Sequence, residues 1–203
     1  MKLAGVVIAA GEGRRMGRLK QLLPWKNSTV LGTIIDTLKE TSLEKIYIVL
    51  GHRSEEVLEG IRKHLSEKTK IVINNRYKEG MLSSIQEALK KIPDDFSGFL
   101  LFLGDQPFVK KETVEKVIER AKMGDYPIIV ASYHGERGHP TFVSLSLKEK
   151  ILSLSPRKEG LRKIIYDERN KNMVLDLETE DADVVRDMDT YDDYLREKER
   201  HNA

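Results

Sequence analysis

The residues best suited to chemistry in this 203-residue chain follow the apolar run Leu3–Ala9. The segment from Ala9 to Lys20 reads Ala-Ala-Gly-Glu-Gly-Arg-Arg-Met-Gly-Arg-Leu-Lys. Glycine permits sharp turns and close backbone approach, and successive N–H groups can then face phosphate oxygens. Cationic side chains interleaved with the glycines would neutralise a triphosphate. We therefore predict a phosphate-binding loop that contacts a nucleotide through Ala9, Ala10, Gly11, Gly13, Arg14, Arg15 and Lys20.

Two better-known phosphate loops do not match this spacing. A dinucleotide fingerprint requires a glycine three residues after its second glycine, but that position is Met16. A Walker A loop ends in Gly-Lys-Ser/Thr, and this tripeptide does not occur in the chain. The loop therefore indicates a different nucleotide-binding class; the alternative is an ordinary flexible connection between a strand and a helix.

A carboxylate occupies the position after another apolar run. Asp105 follows Phe99–Leu103 and Gly104, and the chain continues as Gln-Pro. Ligands of open α/β sheets bind beyond the carboxyl ends of the strands, where Asp105 would lie. Carboxylate oxygens suit Mg²⁺ or Mn²⁺, which bridge phosphates. We predict that Asp105 binds a metal ion; the alternative is an N-cap for a helix that begins near Lys110.

A second acidic element lies near the end of the chain. Asp187 and Asp189 alternate in the sequence Asp-Met-Asp-Thr, and alternating side chains of an extended segment point to the same side. These two carboxylates could complete the metal site of Asp105. Alternatively, Asp189 and Thr190 could cap the last helix, since the surrounding region is rich in acidic residues.

Alternating strand-length and helix-length segments must position these loops. Continuous runs of Val, Ile and Leu favour strands that are buried on both faces of a sheet. Repeated βαβ units imply a mostly parallel sheet with helices on both faces. The expected strands are Leu3–Ala9, Lys45–Leu50, Lys70–Ile73, Phe99–Leu103 and Ile128–Ala131. The apolar helix stripes are Val30, Ile34, Ile35 and Leu38, and Val114, Val117, Ile118 and Ala121.

The last third of the chain departs from this alternation. We expect a single domain over residues 1–203. Its nucleotide-binding part covers about 1–132 and its substrate-facing elaborations about 133–190, within the size of one ordinary domain. The expected elements are a strand Thr141–Leu145 entered through Gly138-His139-Pro140, a helix Gly160–Tyr166, strands Met173–Leu177 and Val184–Arg186, and a charged helix Tyr191–Lys198.

Composition limits the classes of function. The formal net charge is only +2 and no basic stripe occurs, so we expect no nucleic-acid partner. The absence of cysteine excludes disulfides, thiolate metal sites and a cysteine nucleophile. No apolar stretch approaches the ~20 residues of a membrane helix, and the first apolar run is followed by charges where a signal peptide has its cleavage site. We expect a cytoplasmic protein without a membrane partner.

The first loop resembles a family signature. The pattern Ala-Ala-Gly-x-Gly-x-Arg-Met-Gly-x-x-Lys-x-Leu-Leu-Pro, from Ala9 to Pro24, is similar to that of nucleotidyltransferases with a GT-A-like fold. Within them it most resembles the molybdenum cofactor cytidylyltransferases and guanylyltransferases. The resemblance implies a three-layer, Rossmann-like (GT-A-like) α/β fold with a mostly parallel central sheet. It also implies that Arg15, Lys20 and Asp105 take part in catalysis.

Further site residues are expected only because of this resemblance. The segment from Asn75 to Ser84 resembles a family element that carries tryptophan where this chain has Tyr77. Asn75, Gly80 and Ser84 are then expected to contact the nucleotide, although Ser84 could equally cap a helix. His139 and Pro140 resemble a family element near the acceptor pocket. The resemblance makes Asp105 a metal ligand, with Asp189 as the second ligand and Asp187 next.

These features together predict a metal-dependent nucleotidyltransferase that uses Mg²⁺ or Mn²⁺. An acceptor phosphate oxygen would attack the α-phosphorus of CTP or GTP and release pyrophosphate. Ala9-Ala10-Gly11 favours CTP, because guanylyl members of the family tend to carry Ala-Gly-Gly there. The resemblance implies molybdopterin as the phosphorylated acceptor and transient contact with molybdoenzyme maturation proteins. The alternatives are a sugar- or polyol-phosphate cytidylyltransferase and a non-catalytic nucleotide- or cofactor-binding chaperone.

Overall fold

The computed structural model describes residues 1–13 and 16–202, in which strands and helices alternate as the sequence predicts. The strands are β1 Leu3–Ala9, β2 Pro24–Trp25, β3 Ser28–Thr29, β4 Lys45–Leu50, β5 Thr69–Ile73, β6 Gly98–Leu103, β7 Ile128–Tyr133, β8 Glu136–Ser144 and β9 Val174–Glu178. The α-helices are α1 Val30–Lys39, α2 Ser54–Ile61, α3 Met81–Leu89, α4 Lys111–Lys122, α5 Lys148–Leu152, α6 Arg162–Ile165 and α7 Tyr191–Asn202.

A seven-stranded sheet organises the fold, in the order β5-β4-β1-β6-β8-β7-β9. β1 pairs in parallel with β4 and β6, β4 with β5, and β7 with β9. β8 runs antiparallel to both of its neighbours, β6 and β7. It reverses through His134 and Gly135, whose φ values of 50° and 78° suit a two-residue hairpin turn. The prediction of a mostly parallel central sheet in an α/β fold is confirmed.

Both faces of the sheet are covered, which explains the continuous apolar runs. β1 contributes Leu3, Val7 and Ala9 to one hydrophobic cluster and Ala4 and Val6 to the other. Side chains of a strand alternate between its faces, so a strand that is covered on both sides is apolar throughout. α1 and α4 pack on the first face, and α3 and α5 pack on the second. Within the described ranges, no helix is long and apolar enough to cross a membrane.

The segment predicted as the strand Val184–Arg186 is not a strand, so that prediction is wrong. Ala182–Val185 forms a 3₁₀ turn, and the Asp181 side chain accepts a hydrogen bond from the backbone N–H of Asp183 at its start. The Asp181 carboxylate is also held by the Thr113 hydroxyl at 2.6 Å. A short side chain that caps a turn offers the backbone an alternative to a sheet ladder, and here it overrides the β propensity of two valines.

The strand predicted at Thr141–Leu145 begins five residues earlier, at Glu136, and ends at Ser144. Gly138, His139 and Pro140 therefore lie inside β8 instead of in a loop that leads to it. The register of the β7–β8 pair shifts between Val130 and Ser132, opposite this stretch. Such an irregularity accommodates a proline, which cannot donate a ladder hydrogen bond.

α1 is attached to the preceding strand by a chain of polar side chains. Ser28 Oγ lies 3.1 Å from His64 Nε2, and His64 Nδ1 lies 2.7 Å from Asp36 Oδ2. These residue types also form catalytic triads, but the helix backbone closes this one off. A Cβ atom at Gly32 would lie 2.5 Å from His64 Nε2 and 2.7 Å from Ser28 Oγ. The arrangement therefore joins β3, α1 and the segment after α2, and leaves no space for a substrate.

This packing predicts the effect of Gly32→Ala. In an exposed helix, alanine would stabilise by about 1 kcal/mol relative to glycine. Here the added methyl would collide with His64 and Ser28, and overpacking of this kind costs about 1–3 kcal/mol. We expect a lower free energy of unfolding, measured by urea denaturation. Gly60→Ala in α2 is the control, because its methyl would meet the flexible end of Leu22. A Gly32→Ala protein as stable as Gly60→Ala would contradict the prediction.

Candidate active site

A cavity of about 520 Å³ opens beyond the carboxyl ends of β1 and β6. This is the edge of an open α/β sheet at which ligands bind. Loops from the beginning, middle and end of the chain contribute to its walls. The predicted site residues that line it are Ala9, Ala10, Gly11, Gly13, Lys20, Gly80, Ser84, Asp105, Asp187 and Asp189.

The loop after β1 is shaped by its own hydrogen bonds. The N–H groups of Met16 and Gly17 both donate to the carbonyl oxygen of Gly13, at 3.0 and 3.1 Å. Gly13 has a φ of +60°, and a Cβ atom there would lie 2.5 Å from a backbone oxygen, so this position requires glycine. Gln21 Nε2 donates to the carbonyl oxygens of Ala9 and Gly11. The predicted cations Arg14 and Arg15 lie outside the described residues.

Lys20 connects this loop to both acidic elements. Its Nζ donates to the Met188 carbonyl oxygen at 2.6 Å, and lies 3.3 Å from Asp105 Oδ2 and 3.4 Å from Asp189 Oδ1. The lysine side chain is only 12% exposed. Carboxylates from two distant parts of the chain therefore converge on one cationic position.

Asp105 lies at the tip of the loop after β6. Burial raises the pKa of the Asp105 carboxyl, the Lys20 ammonium opposes this rise, and the nearby Asp187 carboxylate adds to it. A Cβ atom at Gly104 would lie 2.8 Å from the Ala9 Cβ atom, so the loop approaches the end of β1 closely because the residue is glycine. The N-cap residue of α4 is Lys110, and Asp105 does not cap that helix.

Asp187 and Asp189 both line the cavity, whereas Met188 between them is 1% exposed and packs in the core. This alternation agrees with the expectation for an extended segment. The cap of α7 is formed by Thr190 and Asp193. The Asp193 N–H donates to Thr190 Oγ1 at 3.1 Å, and the Thr190 N–H donates to Asp193 Oδ2 at 2.8 Å. Capping of α7 therefore does not account for the position of Asp189.

The middle element contributes a different asparagine from the one expected. Asn75 is exposed and does not line the cavity, so its contact with a nucleotide stays a prediction. Asn74 is fully buried, and its Nδ2 donates to the hydroxyls of Ser83 and Ser84 at 2.8 and 2.9 Å. The N-cap residue of α3 is Gly80, so Ser84 is not a cap. Asn74 was not predicted as a site residue, although it directly follows β5 and precedes Tyr77 by three residues.

A second cavity of about 610 Å³ adjoins the first. Gly80, Met81, Leu103 and Asp187 line both cavities, so the two share a wall that carries the Asp187 carboxylate. His139 lines the second cavity, and Pro140 is buried outside the lining.

The second cavity is lined by one histidine and two arginines, His139, Arg137 and Arg162. Burial lowers the pKa of the His139 imidazole, whose Nδ1 lies 3.4 Å from the Leu101 carbonyl oxygen. Arg137 forms a bidentate pair with Asp176, at 2.6 and 3.0 Å. Arg162 lies 5.9 Å from the ring of Tyr166. The sequence analysis missed Arg137, Arg162 and Tyr166, because the spacing of these residues carries no recognisable signal.

Among the described residues, no group of three or more His, Asp or Glu side chains is gathered closely enough to form a metal site by itself. The lysine ammonium lies between two of the candidate ligands, Asp105 and Asp189. Asp105, Asp187 and Asp189 nevertheless offer hard oxygen donors, which is the ligand type that Mg²⁺ and Mn²⁺ prefer.

Known proteins resemble this chain over nearly its whole length. Residues 5–173 match the MobA-like NTP transferase domain. The molybdenum cofactor cytidylyltransferase of Escherichia coli strain K12 is 28% identical over 199 residues, which are 97% of this chain and 95% of that protein. The nicotine blue oxidoreductase of Paenarthrobacter nicotinovorans is 29% identical over 203 residues, 96% of this chain and 95% of that protein.

Solved structures also resemble this chain over nearly its whole length. The crystal structure of Rv0371c from Mycobacterium tuberculosis H37Rv has a TM-score of 0.86 and 30% identity, and the match covers 98% of this chain and 97% of that one. A structure of Rv0371c in complex with manganese has a TM-score of 0.81 and 29% identity, with 98% and 99% of the two chains covered.

The raised pKa of Asp105 predicts a change in stability for Asp105→Asn. A carboxyl with a folded-state pKa above its unfolded value loses stability as the pH rises through the folded pKa. At neutral pH, therefore, Asp105→Asn should raise the melting temperature of the protein in EDTA, and this gain should shrink as the pH falls and Asp105 becomes protonated. Thermal unfolding at neutral and mildly acidic pH measures both effects.

A carboxyl with the opposite shift provides the control. Arg120 holds the pKa of Asp125 below its usual value, so Asp125→Asn should not stabilise the protein at neutral pH. A lower melting temperature for Asp105→Asn than for the parent at neutral pH would show that the Lys20 ion pair outweighs the cost of burial.

Proposed function

The chain belongs to the MobA-like NTP transferase family, and we propose that it transfers CMP from CTP to the phosphate of molybdopterin. The products would be molybdopterin cytosine dinucleotide and pyrophosphate. The observation that carries this proposal is the pair of adjoining cavities, with the Asp187 carboxylate in their shared wall and Asp105 and Asp189 in the lining of the first. A two-substrate transfer needs such an arrangement, because both reactants must be held next to each other. The name of the Escherichia coli relative supports the choice of acceptor and nucleotide.

The transfer itself requires positioning and charge neutralisation, without a covalent enzyme intermediate. An oxygen of the acceptor phosphate attacks the α-phosphorus of the nucleotide, and the bond from this phosphorus to the β-phosphate oxygen breaks. The first cavity would hold the nucleotide, with the loop from Ala9 to Gly13 around its phosphates. The second cavity would hold the acceptor beside His139. Asp187 lies in the wall between them and would therefore be close to the reacting groups.

A divalent cation fits the aspartates of the first cavity, of which Asp187 also lines the second. Asp105 would hold Mg²⁺ or Mn²⁺ together with Asp189 or Asp187. When bound, such an ion neutralises the charge of phosphate oxygens and orients them. The fit rests on the convergence of Asp105 and Asp189 on one cationic position, and the manganese complex of Rv0371c supports it.

The cations of the first loop would stabilise the leaving group. Lys20 is largely buried and its ammonium faces the cavity, where a fixed charge is worth more than in water. Arg15, by its place in the motif, would share this role. His139 would bind the acceptor through a neutral imidazole, because burial lowers its pKa. Transient contact with the proteins that mature molybdoenzymes would deliver the product.

The choice of CTP over GTP is assigned to Ala10. This residue is 2% exposed, and its Cβ atom would lie only 2.9 Å from a Cβ atom built at Gly51. Ala10 lines the first cavity together with Tyr77, and its methyl group would reduce the space for a base there. A pyrimidine requires less space there than a purine.

Two alternatives predict different products. A sugar- or polyol-phosphate cytidylyltransferase would also release pyrophosphate from CTP, but with another phosphorylated acceptor. A binding chaperone would release none. The resemblance to a nicotine blue oxidoreductase shows that a relative of similar length carries the name of a different reaction class. Release of pyrophosphate that depends on both CTP and molybdopterin separates these cases.

Lys20→Ala tests the phosphate-binding loop. Loss of one preorganised charge contact typically lowers the rate by about 10²–10³-fold, and we expect this loss in nucleotidyl transfer with CTP and Mg²⁺. Lys70→Ala is the control, because Lys70 is an exposed lysine on β5, outside the residues that line either cavity. If Lys20→Ala retains more than about half the parent activity, a far smaller loss than such a contact gives, Lys20 has no role in the transfer.

Ala10→Gly tests the choice of base. Overfilling a tight pocket costs about 1–3 kcal/mol, or roughly 5- to 150-fold in preference, so the parent should favour CTP by a factor in this range. Removal of the methyl should relax this preference toward GTP and leave CTP in use. Competition between equal concentrations of CTP and GTP, with both dinucleotide products quantified, measures the change. A parent protein that prefers GTP would refute the base assignment and leave the transfer reaction standing.

A further inference from the structure

Gln106 is a buried side chain at the junction of the two cavities. It is 2% exposed and follows Asp105 directly in the loop after β6. Its Nε2 donates to the Arg186 carbonyl oxygen at 2.7 Å and to Asp187 Oδ1 at 2.8 Å. Both partners only accept hydrogen bonds, which determines the orientation of the amide. Two consecutive residues of this loop thus have different places. The Asp105 carboxylate lines the first cavity, whereas the Gln106 amide lines the second and contacts Asp187.

The other end of this amide is the carbonyl oxygen Oε1. Gln106 Oε1 is buried and has no hydrogen-bond partner within residues 1–13 and 16–202. A buried carbonyl without a donor destabilises a fold, and a group in this state calls for a functional explanation. The N–H groups of the same amide suggest this explanation, because they donate to the backbone beside Asp187 and to the Asp187 carboxylate itself.

Asp187 differs from Asp189 in the group that holds it. The Lys20 ammonium contacts Asp105 and Asp189, whereas the hydrogen-bond donor to Asp187, in the part of the chain that the structure describes, is the neutral amide of Gln106. A neutral donor leaves the full negative charge of the carboxylate in place and holds one of its oxygens. The other oxygen is then oriented by the same contact. Ligating carboxylates are commonly held in this way by hydrogen bonds from neighbouring groups.

We propose that Gln106 is a positioning residue that orients Asp187 for a divalent cation in the wall between the two cavities. This makes Asp187 a partner of Asp105 in the cation site, while the Lys20 ammonium stays in contact with both Asp105 and Asp189. The inference rests on the proposed function, since it names the residue that prepares the proposed cation site. It adds a role for a residue that the sequence motif contains but that no catalytic step requires.

Gln106→Met tests this role without substrate turnover. Methionine has a similar length and no N–H group, so Asp187 would lose its donor. Binding of Mn²⁺ is measured by the electron paramagnetic resonance signal of free Mn²⁺, with and without CTP. We expect Mn²⁺ affinity to fall by about 10–100-fold, the usual loss when a partner of a metal ligand is removed. Gln106→Glu is the second variant: it keeps the length of glutamine, has no N–H group and repels the Asp187 carboxylate, so Mn²⁺ affinity should fall in it as well.

Gln86→Met is the matched control. Gln86 is also buried, at 4% exposure, but its Nε2 donates to the backbone carbonyl oxygens of Ile151, Leu152 and Leu154, and it lines neither cavity. Gln86→Met should lower the melting temperature and leave Mn²⁺ affinity unchanged. Steady-state kinetics should show for Gln106→Met a higher Mg²⁺ requirement with a nearly unchanged KM for CTP.

The outcomes separate the two levels of the proposal. Equal Mn²⁺ affinity of the parent and Gln106→Met would overturn the role of Gln106 and leave the nucleotidyl transfer intact. A parent that binds no Mn²⁺, even with CTP, would overturn the proposed cation site and the role of Gln106 with it. If both Gln106 variants fail to fold while Gln86→Met folds, Gln106 serves stability alone and the inference is wrong.

Discussion

The ammonium group of Lys20 is the contact on which the arrangement of this site depends. It joins the loop after β1 to Asp105 after β6 and to the backbone and side chain of the segment from Met188 to Asp189. Lys20 and Asp189, the most distant of these residues in sequence, are 169 positions apart. Without a cation at this position the carboxylates would face one another with their charge uncompensated, at a cost that rises with burial.

The site is therefore a place where the fold tolerates unfavourable groups. Burial raises the pKa of Asp105, and the side-chain carbonyl oxygens of both Gln21 and Gln106 are buried without a donor among the described residues. Each of these side chains lines one of the two cavities. Groups of this kind reduce stability and are characteristic of functional sites, where charge and hydrogen-bonding capacity are kept for a ligand. The surrounding sheet, apolar on both faces, compensates for them.

The reversed strand β8 gives the molecule its second cavity. A parallel strand in the place of β8 would need a crossover connection. The short hairpin between β7 and β8 instead returns the chain at once, and it brings Gly138 and His139 next to the end of β6. A Cβ atom at Gly138 would lie 1.9 Å from the Val184 carbonyl oxygen, so the final segment can pass close to β8 only because this residue is glycine. That passage carries Asp187 to the wall that both cavities share.

Local pattern was sufficient for much of this protein. The predicted strands Leu3–Ala9 and Lys45–Leu50 begin and end at the same residues in the structure. Their limits could be predicted because a strand that is buried on both faces is apolar without interruption. The first loop and Asp105 could be found for a similar reason, since glycines, cations and a carboxylate directly after such strands carry a chemical meaning by themselves. Tertiary structure alone decided the antiparallel course of β8, the 3₁₀ turn at Ala182–Val185, the burial of Asn74 instead of Asn75, and the contact of Gln106 with Asp187. Each of these depends on partners that are distant in sequence, and such contacts leave no periodic signal in the chain.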